Sequence, residues 1–397
     1  MFQQYLQVND LKSQVDLLNE IAYAYRRISP DSTLQYAELA LTKASQLQDS
    51  AAIAYAYKNK GIGLFKAGDK PDSIVYYYQK AITFAEAAND YYTQAACLNN
   101  IGLIRIGDRE FNEAVQYFLK GVNVFDEHIK EENFLKALML GNIGTAYTND
   151  GDNARGITYY ERSLAMAERI NDKVIPSIFV DQLALARIEE GDLEGAEQDI
   201  ISLMPLNDEL GDFESKAETL LILAKIKTKQ GKYKEAQESL WEAYDITVER
   251  DFTRNQTQAL LQLAQSFEGQ GQVDSALLYG QQAIDLGRTS GYYTITVEAM
   301  SLMASIYADN EDWQKAYEYA QSQFEIEQRS RDVSKQRIAD DLEAKYQNEV
   351  RLAEIERLSE EQAAQQRRIY GLLILVSLIL LVLAGMLYQY YQREIAT

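Results

Sequence analysis

The chain has 397 residues, of which 39 are basic and 60 acidic, and its formal net charge is −21. Such an acidic surface repels the phosphates of nucleic acids, so we predict no nucleic-acid partner within these residues. One histidine and one cysteine exclude a histidine-based catalytic triad, a histidine-rich metal site and a disulfide framework, and we predict no enzyme active site, metal or cofactor.

Eight helical hairpins, about 40 residues apart, are predicted over residues 1–324. Gly and Asn favour the left-handed residue that ends a helix, and Asp or Pro favours the start of the next one. A small or apolar residue follows at a fixed place in each second helix, at intervals of 40 residues with one of 42. A period held over eight copies indicates a repeat architecture. The turns read Ser29-Pro30-Asp31, Gly68-Asp69-Lys70, Gly107-Asp108-Arg109, Gly151-Asp152-Asn153, Gly191-Asp192-Leu193, Gly231-Lys232-Tyr233, Gly271-Gln272-Val273 and Asn310-Glu311-Asp312.

Within each hairpin, apolar residues recur at steps of three and four, which is helical periodicity. Ala or Gly stands at one fixed place in every first helix, where a small side chain lets the two helices approach closely. These positions are 22, 61, 102, 144, 184, 224, 264 and 304. We expect the many tyrosines and phenylalanines to fill the gaps between hairpins.

The stretch Asn142-Ile143-Gly144-Thr145-Ala146-Tyr147, followed by Gly151-Asp152 and then Gly156-Ile157-Thr158-Tyr159-Tyr160, resembles a tetratricopeptide repeat. The usual unit of that family has about 34 residues, so this chain is similar to the subfamily with extended helices. The resemblance covers roughly residues 11–324. It implies an all-α, right-handed superhelical solenoid whose first helices line a concave groove.

A series of side-chain amides falls at the position two residues before the small residue of the first helix. Such a ladder would bind the backbone of a protein or peptide ligand, as the resemblance also implies. The alternative is that these amides bond across neighbouring helices. Ile222 breaks the series and Gln262 resumes it. The predicted groove comprises Asn59, Asn100, Asn142 and Gln182, flanked by Tyr55, Lys58, Asn99, Thr145, Asn149 and Asp181.

Residues 325–368 read as a charged helix with a coiled-coil seam. Apolar residues recur there at steps of three and four among alternating charges, with no Pro or Gly. A homodimer through this stalk is the predicted arrangement, and a single solvated helix is the alternative.

Residues 369–388 are predicted to form one transmembrane helix. No charged residue occurs between 369 and 387, about the length that spans a bilayer, and tyrosines flank both ends. We expect residues 389–397 to be a short tail, cut off from a longer polypeptide.

The stretches Leu342–Glu349 and Ile355–Leu358, followed by a lone membrane helix, resemble the stalk of bacterial tetratricopeptide sensor proteins. In that family an extracytoplasmic solenoid is followed by a membrane helix and then by a histidine kinase domain, or less often by a helix-turn-helix regulator domain. We therefore predict the sensory input part of a signal-transduction receptor of the histidine-kinase type, with periplasmic repeats. The chain departs from that family because neither an export signal nor an output domain is recognisable in it.

Two alternatives remain open. One is a complete cytoplasmic tetratricopeptide scaffold or adaptor held by a tail anchor, since Arg367 and Arg368 precede the membrane helix and only Arg393 follows it closely. The other is the sensor part of a membrane-bound helix-turn-helix transcription regulator.

Overall fold

The computed structural model describes residues 2–5, 8, 10–328 and 357. Over that part of the chain the protein is all-helical and contains no strand. The predicted transmembrane helix (369–388) and tail (389–397) lie outside the described residues, as does the predicted stalk except for residues 325–328 and 357.

A short helix, α1 (Phe2–Tyr5), precedes eight helical hairpins. The hairpins pair α2 (Leu11–Tyr25) with α3 (Pro30–Leu47), α4 (Ser50–Ala67) with α5 (Pro71–Ala88), α6 (Tyr91–Gly107) with α7 (Phe111–His128), α8 (Phe134–Asn149) with α9 (Asn153–Arg169), α10 (Val174–Glu190) with α11 (Leu193–Leu210), α12 (Phe213–Lys229) with α13 (Tyr233–Arg250), α14 (Thr253–Gly269) with α15 (Val273–Ser290), and α16 (Tyr293–Asp309) with α17, helical over 313–328. The predicted all-α solenoid of eight hairpins is confirmed.

Left-handed residues mark the turns inside the second to eighth hairpins, whereas the first turn, at Ser29-Pro30-Asp31, has none. Two of the left-handed residues are not the predicted ones. Gly68 ends α4 with a φ of 74°. In the third turn, however, the left-handed residue is Arg109 (φ 62°), because Gly107 is still helical. In the last turn it is Glu311 (φ 61°) and not Asn310. Both residues lie five positions before the small residue of the second helix, as Gly151, Gly191, Gly231 and Gly271 do, although a side chain in this conformation costs about 1–2 kcal/mol.

The small residues of the first helices allow the close approach that their period predicts. At Gly102, an added Cβ would lie 2.5 Å from Cε1 of Phe118 in the partner helix. At Gly61 it would lie 2.7 Å from Tyr78 Cε1. Both rings are fully buried or nearly so, so the absence of a side chain on the first helix makes room for an aromatic ring from the second.

The most regular aromatic pairs pack within the hairpins, whereas the sequence led us to expect the rings between hairpins; Trp241 of α13 and Tyr279 of α15 do pair between hairpins. In three hairpins, the ring four residues before the left-handed residue stacks on the ring twelve residues further along the chain. These pairs are Tyr147 with Tyr159, Phe267 with Tyr279 and Tyr307 with Tyr319, and their ring centroids are 5.6, 5.4 and 5.5 Å apart. At the same place in the fifth hairpin, Arg187 Nη1 lies 3.1 Å from Asp199 Oδ2. An ion pair therefore replaces a ring pair at an equivalent position.

The first helices line the inner side of the stack. From α2 to α16, the backbone of each first helix comes within 8 Å of the next first helix between Cα atoms, whereas from α3 to α15 the backbones of neighbouring second helices stay farther apart. Because neighbouring first helices lie closer together than neighbouring second helices, the stack curves toward the first helices. The sides of the first helices that face away from the second helices form a concave surface. Among the described helices, none is both long and apolar enough to cross a bilayer.

Candidate ligand-binding groove

Two of the predicted amides are engaged between first helices. Asn59 is fully buried, and its Nδ2 donates to the backbone oxygen of Asn19 at 3.0 Å. The Nδ2 of Asn142 donates to Oδ1 of Asn99 at 2.9 Å. At these two positions the amides bond across neighbouring first helices and link consecutive repeats.

The other two amides are more accessible. Asn100 is half-buried, lines a cavity on the concave side and is hydrogen-bonded to Tyr78. Gln182 is exposed on α10. The four amides thus occupy one register position but differ in their surroundings, and the groove as a peptide-binding site stays a prediction.

The flanking residues fall into separate regions. Tyr55, Lys58 and Asn99 lie around the first three hairpins, where Lys58 and Asn99 line the same cavity as Asn100. Thr145 accepts a hydrogen bond from the Tyr160 hydroxyl at 3.1 Å, so it fastens a hairpin internally. Asn149 is exposed and is the last residue of α8.

Asp181 lies further along the solenoid, on α10. The Thr219 hydroxyl donates to its carboxylate at 3.3 Å. Burial raises the pKa of this carboxyl to about 7, although that hydrogen bond opposes the shift. Asp181 therefore titrates near neutral pH and is separate from the residues around Lys58.

A cavity of about 410 Å³ opens on the concave side between α2, α4, α6 and α8. Its cationic wall carries four basic residues from the first two hairpins, and its apolar wall carries aromatic and aliphatic residues mainly from the third and fourth. Asn99 and Asn100 lie between the walls. The lining is Tyr23, Arg26, Arg27, Lys58, Ile62, Phe65, Lys66, Tyr78, Tyr92, Ala96, Asn99, Asn100, Leu103, Phe134, Leu135 and Leu138.

Lys58 is the most unusual of these residues because it is a buried cation. It is 6% exposed, and its Nζ lies 3.7 Å from the ring centroid of Tyr55 and 5.5 Å from that of Tyr23. Burial lowers the pKa of its ammonium group to about 8. Ring faces stabilise a cation only in part. The side chain is thus charged at neutral pH in a site that disfavours the charge.

The cations of the cavity differ from others on the same helices. Lys60 on α4 pairs with Glu38 at 2.8 Å, and Arg105 on α6 pairs with Glu110 at 2.9 Å. Within the described residues, none of the four lining cations forms an ion pair, and the lining includes no acidic residue. Positive charge without a counter-charge is therefore concentrated here, in a chain whose net charge is −21.

Several lining residues were not predicted from the sequence. Phe65, Tyr92, Leu103 and Phe134 are 37–53% exposed although they are large and apolar. The sequence did contain a sign of them, because large apolar residues fall on the side of a first helix where a solvent-exposed helix carries polar residues. The basic residues Arg26, Arg27 and Lys66 can be recognised as a group only in the structure, where they line one cavity.

The described fold, a solenoid of helical hairpins, is similar to that of tetratricopeptide repeats. A family model described as a tetratricopeptide repeat matches residues 137–173, which contain most of α8 and all of α9. No curated protein matches the chain as a whole or in part.

Solved structures with a similar fold include proteins of several activities. One is aspartyl phosphate phosphatase F from Bacillus subtilis, with a TM-score of 0.56, 14% identity, and coverage of 74% of this chain and 75% of that one. Another is a Rap protein complexed with Competence and Sporulation Factor, with a TM-score of 0.53, 14% identity, and coverage of 80% and 98%.

A third similar structure is a STAND protein with a tetratricopeptide repeat sensor from Pyrococcus horikoshii. Its TM-score is 0.57 at 16% identity, and the match covers 80% of this chain but 46% of that protein. At these identities the likeness establishes the fold. Within the described part of the chain, no group of three or more His, Cys, Asp or Glu residues is placed to hold a metal ion.

Proposed function

We propose that the repeats bind a protein or peptide ligand in the concave groove and that the chain is the input part of a membrane-anchored signalling receptor of the histidine-kinase type. The observation that carries the binding role is the cavity between α2, α4, α6 and α8, where exposed aromatic rings, amides and unpaired cations converge. Concave pockets with an apolar lining and a few placed polar groups are the usual form of a ligand site.

Likeness to known proteins supports this role. The Rap protein was solved with Competence and Sporulation Factor bound, and the Pyrococcus horikoshii protein uses its repeats as a sensor. The uncharged stretch from 369 to 387 supports a membrane anchor, and the heptad-like stalk supports a homodimer. In this proposal the ligand alters the curvature or packing of the repeats and the stalk transmits the change, without enzymatic chemistry in this chain.

A cytoplasmic scaffold held by a tail anchor is the second candidate. Arg367 and Arg368 directly precede the uncharged stretch, and the positive-inside rule then places the repeats in the cytoplasm. The receptor requires the repeats on the opposite side of the membrane, in the periplasm.

Binding is tested with the full-length chain in detergent, panned against a displayed library of random dodecapeptides. Selected peptides are then measured by fluorescence anisotropy against two matched variants. Tyr92→Ala removes a ring that is 53% exposed in the cavity, and Tyr76→Ala removes one that is 52% exposed on the second helix α5. We expect about a tenfold loss of affinity for the first and less than twofold for the second. Selected peptides that bind both variants equally well would refute groove binding.

Orientation is tested by adding protease to intact spheroplasts. Periplasmic repeats are cleaved at once, whereas cytoplasmic repeats are cleaved only after detergent lysis. Protection of the repeats in intact spheroplasts would reject the receptor in favour of the scaffold.

A further inference from the structure

We infer that the ligand of this groove is an anionic, amphipathic peptide segment, whose carboxylate enters the cavity beside Lys58 and whose adjacent apolar side chain packs against the wall formed by α6 and α8. This inference rests on the proposed function and specifies the chemistry of its ligand. It runs against the net charge of the chain, which on its own favours a cationic partner.

Charge complementarity is the first step. Arg26 and Arg27 come from the end of α2 and the turn after it, and Lys58 and Lys66 come from α4. A cationic peptide would meet four like charges here, whereas a carboxylate would meet four opposite ones. Local charge at the contact, and not the net charge of the whole chain, decides which sign is bound.

Burial of Lys58 is the second step. Within the described residues its ammonium group has ring faces beside it but no hydrogen-bond acceptor and no ion-pair partner. Cys97, Asp90 and Glu20 act on it electrostatically but form no hydrogen bond or ion pair with it. The side chain is 6% exposed and lines the cavity, so an ammonium group with three donors and no protein acceptor is an incomplete interaction there, and a carboxylate oxygen supplies the missing acceptor.

The opposite wall specifies the second half of the ligand. Tyr92 and Leu103 of α6 and Phe134 of α8 expose 53%, 41% and 37% of their surface around the same cavity, and Phe65 of α4, which also lines it, exposes 49%. Large exposed apolar groups next to one another indicate an interaction site. An apolar side chain next to the acidic group fills this wall, while Asn100 is placed to bond the peptide backbone between them.

The cavity volume limits the size of what enters. About 410 Å³ lies at the lower end of the range of about 300–1,000 Å³ that ligand pockets occupy. A few side chains fit, and the rest of a longer peptide lies on the open concave surface. The carboxylate comes either from an Asp or Glu side chain or from the C-terminus of the peptide.

Four pools of degenerate octapeptides distinguish these ligands. Each pool has a fixed leucine, preceded by Glu, Gln or Lys in three amidated pools and by Gln in a fourth pool with a free C-terminus. Retention on the immobilised full-length chain is quantified by mass spectrometry at pH 7. We expect the Glu pool to be retained at least tenfold more than the amidated Gln and Lys pools.

The outcomes separate the two proposals. Preferential retention of the pool with a free C-terminus would assign the carboxylate to the peptide end and keep the inference. Equal retention of all pools, lost in Tyr92→Ala, would overturn the anionic ligand and leave groove binding intact. Retention of no pool would overturn both.

Two lysine variants complete the test. Lys58→Met keeps the length of the side chain and removes its charge, so retention of the Glu pool should fall at least tenfold. Lys120→Met is the control, because Lys120 also lies over a tyrosine ring, at 5.2 Å, but on the second helix α7. Arg27→Gln changes an exposed lining cation and should give a smaller loss. Unchanged retention in Lys58→Met and Arg27→Gln, with normal circular dichroism, would overturn the inference.

Discussion

Replacing Lys58 by methionine should stabilise the free protein while it weakens ligand binding. Lys58 is 6% exposed, and burial lowers the pKa of its ammonium group from 10.5 to about 8. Below pH 8 the folded chain therefore holds a charge that its surroundings disfavour. A side chain that reduces stability in the absence of ligand is typical of a binding site.

The size of the effect follows from the two pKa values. A shift from 10.5 to about 8 corresponds to about 3 kcal/mol, at about 1.4 kcal/mol per pKa unit. Contact with the rings of Tyr55 and Tyr23 offsets about 0.5–2 kcal/mol of this penalty. Lys58→Met should thus raise the free energy of unfolding by about 1–3 kcal/mol at pH 7.

The pH dependence of the free energy of unfolding is an independent check on the sign of the Lys58→Met effect. Between about pH 8 and 10.5 the unfolded chain binds a proton on Lys58 that the folded chain has released, so folding becomes more favourable as the pH rises through this window. The advantage of Lys58→Met should therefore shrink to about half at pH 9.5.

Urea unfolding of both proteins, followed by circular dichroism at pH 7.0 and 9.5, measures the effect. The comparison between the two proteins cancels the other groups that titrate at high pH. A variant less stable than the wild type at pH 7, or an advantage that does not change with pH, would refute the reasoning.

Three further predictions concern stability. Asn59→Ala should cost about 1–3 kcal/mol because a buried carbonyl loses its donor, and Gln182→Ala, which removes an exposed amide, less than about 0.5 kcal/mol; urea unfolding measures both. Gly102→Ala should cost about 1–3 kcal/mol, since its methyl group meets a ring at 2.5 Å, and Gly107→Ala in the same helix, with open space around it, is the control. Asp181→Asn should remove one contribution to the pH dependence of stability. The carboxyl has a pKa of 3.8 in the unfolded chain and about 7 in the folded chain, so the stability of the wild type falls as the pH rises from 3.8 to about 7.

Each of these predictions has an outcome that would contradict it. Equal losses for the Asn59 and Gln182 variants would mean that the buried hydrogen bond to the Asn19 carbonyl does not determine the cost. Equal losses for the two glycine variants would indicate an effect of helix propensity and not of packing. An Asp181→Asn protein that keeps the wild-type slope between pH 4 and pH 8 would show that another group titrates there.

The hairpins could be predicted from the sequence because their signals are local and repeated. Helix N-caps such as Asp152 and Asp192 accept hydrogen bonds from backbone amides three residues later, as their spacing indicates. The place of the small residues also follows from the period. The left-handed residues Arg109 and Glu311 could not be predicted, because preference for Gly or Asn is weaker than the constraint that packing imposes.

The amide series could be located but not interpreted from the sequence. All four predicted amides share one register position, yet Asn59 and Asn142 bond to neighbouring first helices while Gln182 is exposed. Whether an amide is engaged depends on which atom of the next repeat lies within 3 Å of it, and no periodicity specifies that distance.

The sequence by itself determined the architecture, namely the period of about 40 residues, the helix pairs and the side of each helix that is apolar. Tertiary structure alone decided where the cavity lies, because its lining extends from Tyr23 to Leu138 and unites four hairpins. It also decided that Lys58 is buried and unpaired whereas Lys60, two residues later, is paired. The physical reason is that helix formation depends on neighbours along the chain, whereas burial and charge pairing depend on neighbours in space.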